Sequence, residues 1–194
     1  MGIDSIGGTI EGPDGKHRCP WAGATEEYMA YHDLEWGKPV HSEQGLYERL
    51  MLEAFQSGLS WLTILRKRDG IRDAFHQFVP EAVAEYTDDD VERLIQDSRI
   101  IRNRQKINAA ITNARATIAL REHGGLDALI WSFAPRPLAA PMSVHEVPAI
   151  TPESTALAKA LKQAGFVFIG PTTAYATMQA IGMVNDHLAD CHAR

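Results

Sequence analysis

The residues of this chain that could do chemistry fall into two groups. The first is a pair of cysteines, Cys19 and Cys191, near opposite ends of the chain, each with a histidine at usable distance: His32 follows Cys19 by thirteen positions and His187 precedes Cys191 by four. Two thiolates and two imidazoles make a Cys2His2 set, the tetrahedral donor preference of structural zinc. A histidine and a cysteine four residues apart would share one face of a helix, so such a site would tie the N-terminal segment to a C-terminal helix. The spacing is not that of a standard zinc finger. The same cysteines also read as small buried apolar residues, and a disulfide would need an oxidising compartment.

The second group is a carboxylate among aromatics. Glu53 is embedded in Met51, Leu52, Ala54 and Phe55, where a carboxylate is costly unless it is paired or used. Trp21, Tyr28, Tyr31 and Trp36 crowd the stretch from Cys19 to Trp36, and Trp61 follows Glu53 by eight residues. Aromatic faces around one carboxylate suit a flat cationic ligand, through stacking, cation–π attraction and a charge partner. A surface glutamate on an amphipathic helix, with the aromatics filling a core, has the same composition, and composition alone favours that plainer arrangement.

The elements that must position these residues read as helices. Thr25 before Glu26 and Glu27 is an N-cap with acids in the first turn, and Gly37 and Pro39 stop that helix. A second helix spans about Glu43 to Gln56 on the spacing of Leu46, Leu50, Met51 and Ala54, and Ser60 caps a third through Leu65. Thr87 before Asp88, Asp89 and Asp90 opens another. A long helix begins near Asn103, with Ile107, Ala110, Ile111, Ala114 and Ile118 on one face, and ends at Gly124–Gly125. Thr151-Pro152-Glu153 starts a helix that ends at Gly165, Phe166 to Ile169 is a short apolar run suited to extended chain, and the last helix runs from Pro171 to about His187. Strand signals are almost absent, so the expected class is all-α. Residues 1 to 17 lack periodicity and are expected to be a flexible tail before one folded unit, 18 to 194.

The chain has 194 residues, 45% hydrophobic and 23% charged, with no apolar run near the ~20 residues of a membrane-spanning helix. That excludes a wholly disordered chain, a collagen and a disulfide scaffold. Without a secretory h-region at the N-terminus, a cytosolic location is expected. The net charge of −6 argues against a polyanionic partner, but its distribution is uneven. From Arg93 to Arg121 there are seven basic residues and one acid, Asp97, while the remainder carries 12 basic and 24 acidic residues. A basic segment on an acidic body is a sign of nucleic-acid contact, although on charge alone a solvated helix face accounts for it better.

Taken together, the motifs resemble the bacterial 3-methyladenine DNA glycosylase I family. They are Arg18-Cys19-Pro20-Trp21, then Tyr31-His32-Asp33 with Glu35-Trp36-Gly37, then Leu52-Glu53 with Gly58-Leu59-Ser60-Trp61. Ile100-Ile101-Arg102-Asn103-Arg104 with Lys106-Ile107 follows, and the last is Met178-Gln179-Ala180 with Val184-Asn185-Asp186-His187. The resemblance covers about residues 17 to 191. It implies a helix–hairpin–helix glycosylase fold with the hairpin at about 91–111, and a monomer that acts on alkylated double-stranded DNA in the bacterial cytoplasm, at the nucleoid. It implies one structural zinc on Cys19, His32, His187 and Cys191. It also implies Glu53, Tyr31 and Trp61 as the base-reading and catalytic residues, with Trp21, Tyr28 and Trp36 as walls. Leu59, beside Gly58, falls on the family's plug position, and Arg102, Arg104 and Lys106 are the expected phosphate contacts, on a turn that lacks the usual glycine. The family lacks the aspartate that many related glycosylases carry after the hairpin, and Ile107 to Leu120 contain no acid. Two rivals use the same residues: a hydrolase or deaminase working through the Cys/His metal, and a helical protein that binds damaged DNA without cleaving it.

Overall fold

A computed structural model describes residues 8–137 and 139–194. The chain is helical, as expected from its patterning. The helices are α1 Glu26–Leu34, α2 Glu43–Gln56, α3 Trp61–Ala74, α4 Pro80–Ala84, α5 Asp88–Gln96, α6 Arg104–Ala119, α7 Gly125–Trp131, α8 Pro152–Gln163 and α9 Pro171–Ala180. Side chains of Thr25, Ser42, Ser60, Asn103 and Thr151 cap their helices, and Thr87 and Asp90 close a capping box on α5. No helix among the described residues is long and apolar enough to cross a membrane.

The core is organised around α2. Leu46, Tyr47, Leu50, Met51, Leu52, Ala54 and Phe55 are all essentially inaccessible, so its C-terminal half is buried on every side. It packs against α3, α6, α7 and α9. Glu53 lies within that fully buried run, and this alone takes its carboxyl out of water.

The structure departs from the sequence reading at five places. Part of the expected tail is ordered: Ile10–Glu11 pair antiparallel with His17–Arg18. Arg18 is 2% exposed, because its guanidinium reaches Asp33 on α1 and Asp14 in the hairpin turn. Residues 1–7 of that expected tail lie outside the described residues. Helix α3 continues past Leu65 through Gly70, where a Cβ would lie 2.7 Å from that of Arg99; the glycine lets the turn after α5 approach. A single-turn 3-10 segment at His76–Phe78, with α4 and α7, appears where no element was expected; each is short and set by packing. Phe166 to Ile169 is not a strand: Phe168 has a φ of 64°, and buried Asn113 binds both backbone polar groups of Val167. Finally, α9 stops at Ala180 rather than near His187. Gly182 takes a φ of +72°, and a side chain there would strike the backbone of Gly37 to Pro39.

Between α5 and α6 the chain makes a tight turn at residues 97–103, with Asn103 capping α6 through the backbone N–H of Lys106. The basic stretch is largely spent on the protein itself. Arg93 pairs with Asp90, Arg99 with Asp97, Arg104 with Glu92, and Arg121 with Glu43 and Glu81. Arg102 is exposed and forms no ion pair among the described residues. Lys106, read from the sequence as a phosphate contact, is buried; its Nζ donates to the carbonyls of Phe55 at 2.8 Å and Ser57 at 2.6 Å. It therefore satisfies the orphan carbonyls at the end of α2, and burial pulls its pKa below the ordinary lysine value.

Replacing Lys106 by Met leaves those carbonyls without a donor. The expected result is a Tm about 4 to 8 °C lower by calorimetry, corresponding to roughly 2 kcal/mol in a domain of this size. The salt slope of DNA binding should keep its wild-type value; a slope reduced by about one would return Lys106 to the phosphate contacts.

Candidate functional site

One cavity of about 410 Å³ opens between the α1–α3 segment and the C-terminal region, a size typical of small-molecule pockets. Trp21, Tyr28, Tyr31, Trp36, Glu53 and Trp61 all line it. Six residues singled out from the sequence are thus brought to one place by three helices and the 3-10 turn Pro20–Ala24.

The rings are arranged edge to face rather than in a flat stack. Trp21 meets Tyr28 at 5.8 Å and Trp36 at 5.1 Å, at 77° and 83°, while Tyr31 and Trp61 lie 5.2 Å apart and tilted by 50°. This packing leaves ring faces available to a flat guest. The Tyr28 hydroxyl accepts a hydrogen bond from the Leu62 backbone N–H at 3.0 Å, so that oxygen is committed to the first turn of α3.

Glu53 is 7% exposed, and its carboxyl has no hydrogen-bond partner among the described residues. Burial pushes its pKa up to about 8, against the opposing pull of the Arg49 guanidinium one turn earlier on α2. Arg49 and Arg68 both bind Glu35, which joins α1, α2 and α3 behind Tyr31. Across the same wall the indole Nε1 of Trp61 is buried with no acceptor. The Glu53 carboxyl, left without a partner at the wall of the cavity, is a group that a ligand can satisfy.

Leu59 is 41% exposed, next to Gly58 with its φ of +79°, between the cavity residues Gln56 and Trp61. It stands as an apolar side chain projecting beside the pocket.

The four metal-ligand candidates converge. Cys19, His32, His187 and Cys191 are all buried, with their donor atoms within 4.8 Å of one another. Cys191 Sγ lies 3.4 Å from His32 Nε2 and 3.5 Å from His187 Nδ1, the two ring nitrogens are 3.1 Å apart, and Cys19 Sγ is 4.0 Å from His187 Nδ1. A tetrahedral ion with ordinary sulfur and nitrogen bond lengths has donor separations of about 3.3 to 3.8 Å. The outward ring nitrogens are also occupied: His32 Nδ1 meets Asp33 at 2.8 Å and His187 Nε2 faces the Trp36 carbonyl at 3.3 Å, the arrangement that aims the opposite nitrogen at a metal. Asp33 also accepts from Arg18 and lies 3.0 Å from His192 Nε2; burial raises its pKa, but these hydrogen bonds prevail and hold it well below the usual carboxylate range. The donor set therefore fits a metal ion. His187 and Cys191 do not share a helix face, as their spacing had suggested; they stand in turns after the end of α9.

Sequence reasoning missed the far wall of the cavity. Val144, Val147, Ala176, Gln179, Asp186 and Leu188 line it together with Gln56 and Cys19. Gln179 and Asp186 lie in a segment that carried the resemblance, yet no periodicity indicated which of their sides would face the pocket.

Fold and site together define a mostly helical protein with one small strand pair and an aromatic cavity that holds a buried carboxyl in its wall. A model of the methyladenine glycosylase family matches residues 21–194. DNA-3-methyladenine glycosylase of Haemophilus influenzae is 48% identical over 177 residues, covering 90% of this chain and 96% of that protein. A crystal structure of 3-methyladenine DNA glycosylase I superposes with a TM-score of 0.88 at 46% identity, covering 91% of this chain and 99% of that one. A tyrosine-to-phenylalanine variant of 3-methyladenine DNA glycosylase I in complex with 3-methyladenine superposes with a TM-score of 0.86 at 33% identity, over 91% and 96% of the two chains. This chain belongs to the methyladenine glycosylase family.

Burying Glu53 has a pH-dependent cost. Its folded pKa of about 8 exceeds the ordinary 4.5, so the folded chain holds the proton longer than the unfolded one. Stability therefore falls as pH rises between those values. Glu53→Gln removes this loss. In thermal melts the variant should gain on the wild type progressively from pH 5 upward, approaching about 5 kcal/mol above pH 8 at about 1.4 kcal/mol per pKa unit. A gap that is the same at pH 5 and pH 9 would show that the carboxyl is not buried as described.

Proposed function

We propose that this chain is a monofunctional DNA glycosylase that flips methylated adenine out of alkylated duplex DNA and hydrolyses its N-glycosidic bond in base excision repair. The observation that carries this reading is the unpartnered Glu53 carboxyl at the wall of an aromatic cavity. Methylation at N3 gives adenine a positive charge and makes it a good leaving group. A pocket of ring faces with one carboxylate favours that cation over neutral adenine.

In this reading Trp61 stacks on the flipped base, while Tyr31 supplies a wall and a hydroxyl. Trp21, Tyr28 and Trp36 complete the enclosure. Glu53 accepts hydrogen bonds from the base edge. Its proton is held in the empty pocket and is displaced when the cationic base arrives, because an opposite charge at short range favours the ionised form. Glu53 is thus a recognition residue whose charge assists departure of the base. Leu59, on the Gly58 turn, fills the gap left in the duplex. The α5–turn–α6 unit is the helix–hairpin–helix element that tracks the phosphate backbone. Arg102 is its free cation, Arg104 exchanges Glu92 for a phosphate, and Lys106 supports the Gly58–Leu59 turn from beneath.

The Cys19, His32, His187 and Cys191 cluster is read as a structural zinc site, one ion per chain. When bound, the ion would deprotonate both thiols and clamp the N-terminal segment to the C-terminal turns. Four protein donors leave no open position for a substrate. The enzyme works on DNA as a monomer at the cytoplasmic nucleoid.

Two measurements test this. Purified wild type should release free 3-methyladenine from methylated duplex DNA, while Glu53→Gln should lose on the order of a hundredfold or more of that rate and keep its affinity for undamaged duplex. Base release by the variant at the wild-type rate would remove Glu53 from the mechanism. Removal of metal by a chelator should lower the Tm before it lowers turnover of the folded fraction; loss of turnover at unchanged Tm would instead favour a catalytic metal.

A further inference from the structure

The far wall of the cavity carries a polar group whose orientation is chemically forced. Gln179 lines the pocket from α9, and Asp186 lines it from the turn beyond. The Asp186 carboxylate accepts at Oδ2 from the Tyr175 hydroxyl at 2.6 Å and from Gln179 Nε2 at 2.8 Å. A carboxylate only accepts, so the amide must turn its NH2 toward Asp186. The Gln179 carbonyl, Oε1, is left as the other end of the amide and has no donor among the described residues.

We propose that Gln179 is a specificity residue of this pocket, its Oε1 accepting a hydrogen bond from the exocyclic 6-amino group of the flipped base. The inference rests on the reading of the cavity as a pocket for methylated adenine, and adds the discrimination against methylated guanine. Guanine carries an oxygen at the 6-position, and an acceptor fixed against an acceptor is repulsive and leaves both unsatisfied. Asp186 acts as a positioning residue, since it decides which end of the amide is presented, and the Tyr175 hydroxyl holds Asp186 in turn.

The test compares Gln179→Met, which keeps length and apolar volume, with Asp186→Asn, which keeps shape but lets either amide present either end. Three of the four tryptophans line the cavity, so intrinsic fluorescence reports binding of free 3-methyladenine and free 3-methylguanine without any chemistry. Release of both bases from methylated duplex is measured alongside. The expected result is a fall of about tenfold in the preference for 3-methyladenine with Gln179→Met and a smaller fall with Asp186→Asn, both at wild-type Tm. Weakening of both bases by the same factor in Gln179→Met would overturn the proposal, because a structural role lowers affinity without changing preference. A Gln179→Met chain that fails to fold leaves Asp186→Asn to decide, and unchanged preference there also overturns it. If the wild type neither binds nor releases a methylated base, the underlying reading fails with it, and the wild-type arm alone shows which has failed.

Discussion

Glu53 is a carboxyl to which the described residues offer no hydrogen bond, in the half of α2 that is buried on every side. Most features of the site can be traced to keeping it there. Helix α2 must be surrounded by α3, α6, α7 and α9 to exclude water from its C-terminal half, and α3 and α9 also carry Trp61 and Gln179 to the cavity. Behind the wall, Arg49 and Arg68 share the single carboxylate of Glu35, so a positive charge is left over, and Arg49 acts on Glu53 without forming an ion pair with it among the described residues. The result is a group whose ionisation burial disfavours, at a cost in stability above the ordinary carboxylate pKa.

The aromatic wall and the metal-ligand cluster are one structure. Trp36 meets His187 edge to face at 4.6 Å and Trp21 meets His32 edge to face at 5.1 Å, so each of these cavity-lining indoles also touches a histidine of the cluster. Tyr31 and His32 are adjacent on α1, one lining the pocket and the other joining the cluster. The Arg18–Asp33 pair extends this connection to the N-terminal hairpin. The Cys/His cluster therefore contacts the pocket walls directly, rather than through the core.

The α5–α6 unit shows how charge counting and structure can diverge. Seven basic residues in this stretch look like a polyanion footprint, yet four of the arginines are engaged by nearby acids and Arg115 donates to the backbone carbonyls of Ala84 and Tyr86. Lys106 is a strut inserted under the end of α2. It ties the start of α6 to the loop that carries Leu59, so the two parts are linked by a buried ammonium rather than by a shared surface.

The residues that define the elements were legible from local signals. Caps at Thr25, Ser60, Thr87 and Thr151 act within a few residues of themselves, and the 3.6-residue apolar spacing of α2 and α6 needs no tertiary context. The donor set of the metal cluster and the near-wall residues of the cavity were also legible, because Cys, His, Trp and a glutamate in an apolar run are chemically conspicuous. Local patterning could not reveal where α9 ends, since Gly182 is required by the approach of Gly37 to Pro39 from the other end of the chain. Nor could it reveal that His187 and Cys191 meet through turns, that Lys106 is buried, or that Gln179 and Asp186 form the far wall. Each of these depends on contacts between residues distant in sequence. The amino-acid sequence alone determined where most of the longer helices begin and the chemical inventory; tertiary packing set the short helices and the helix ends and decided which polar groups lost water, and with it which side chains are structural and which remain free for a ligand.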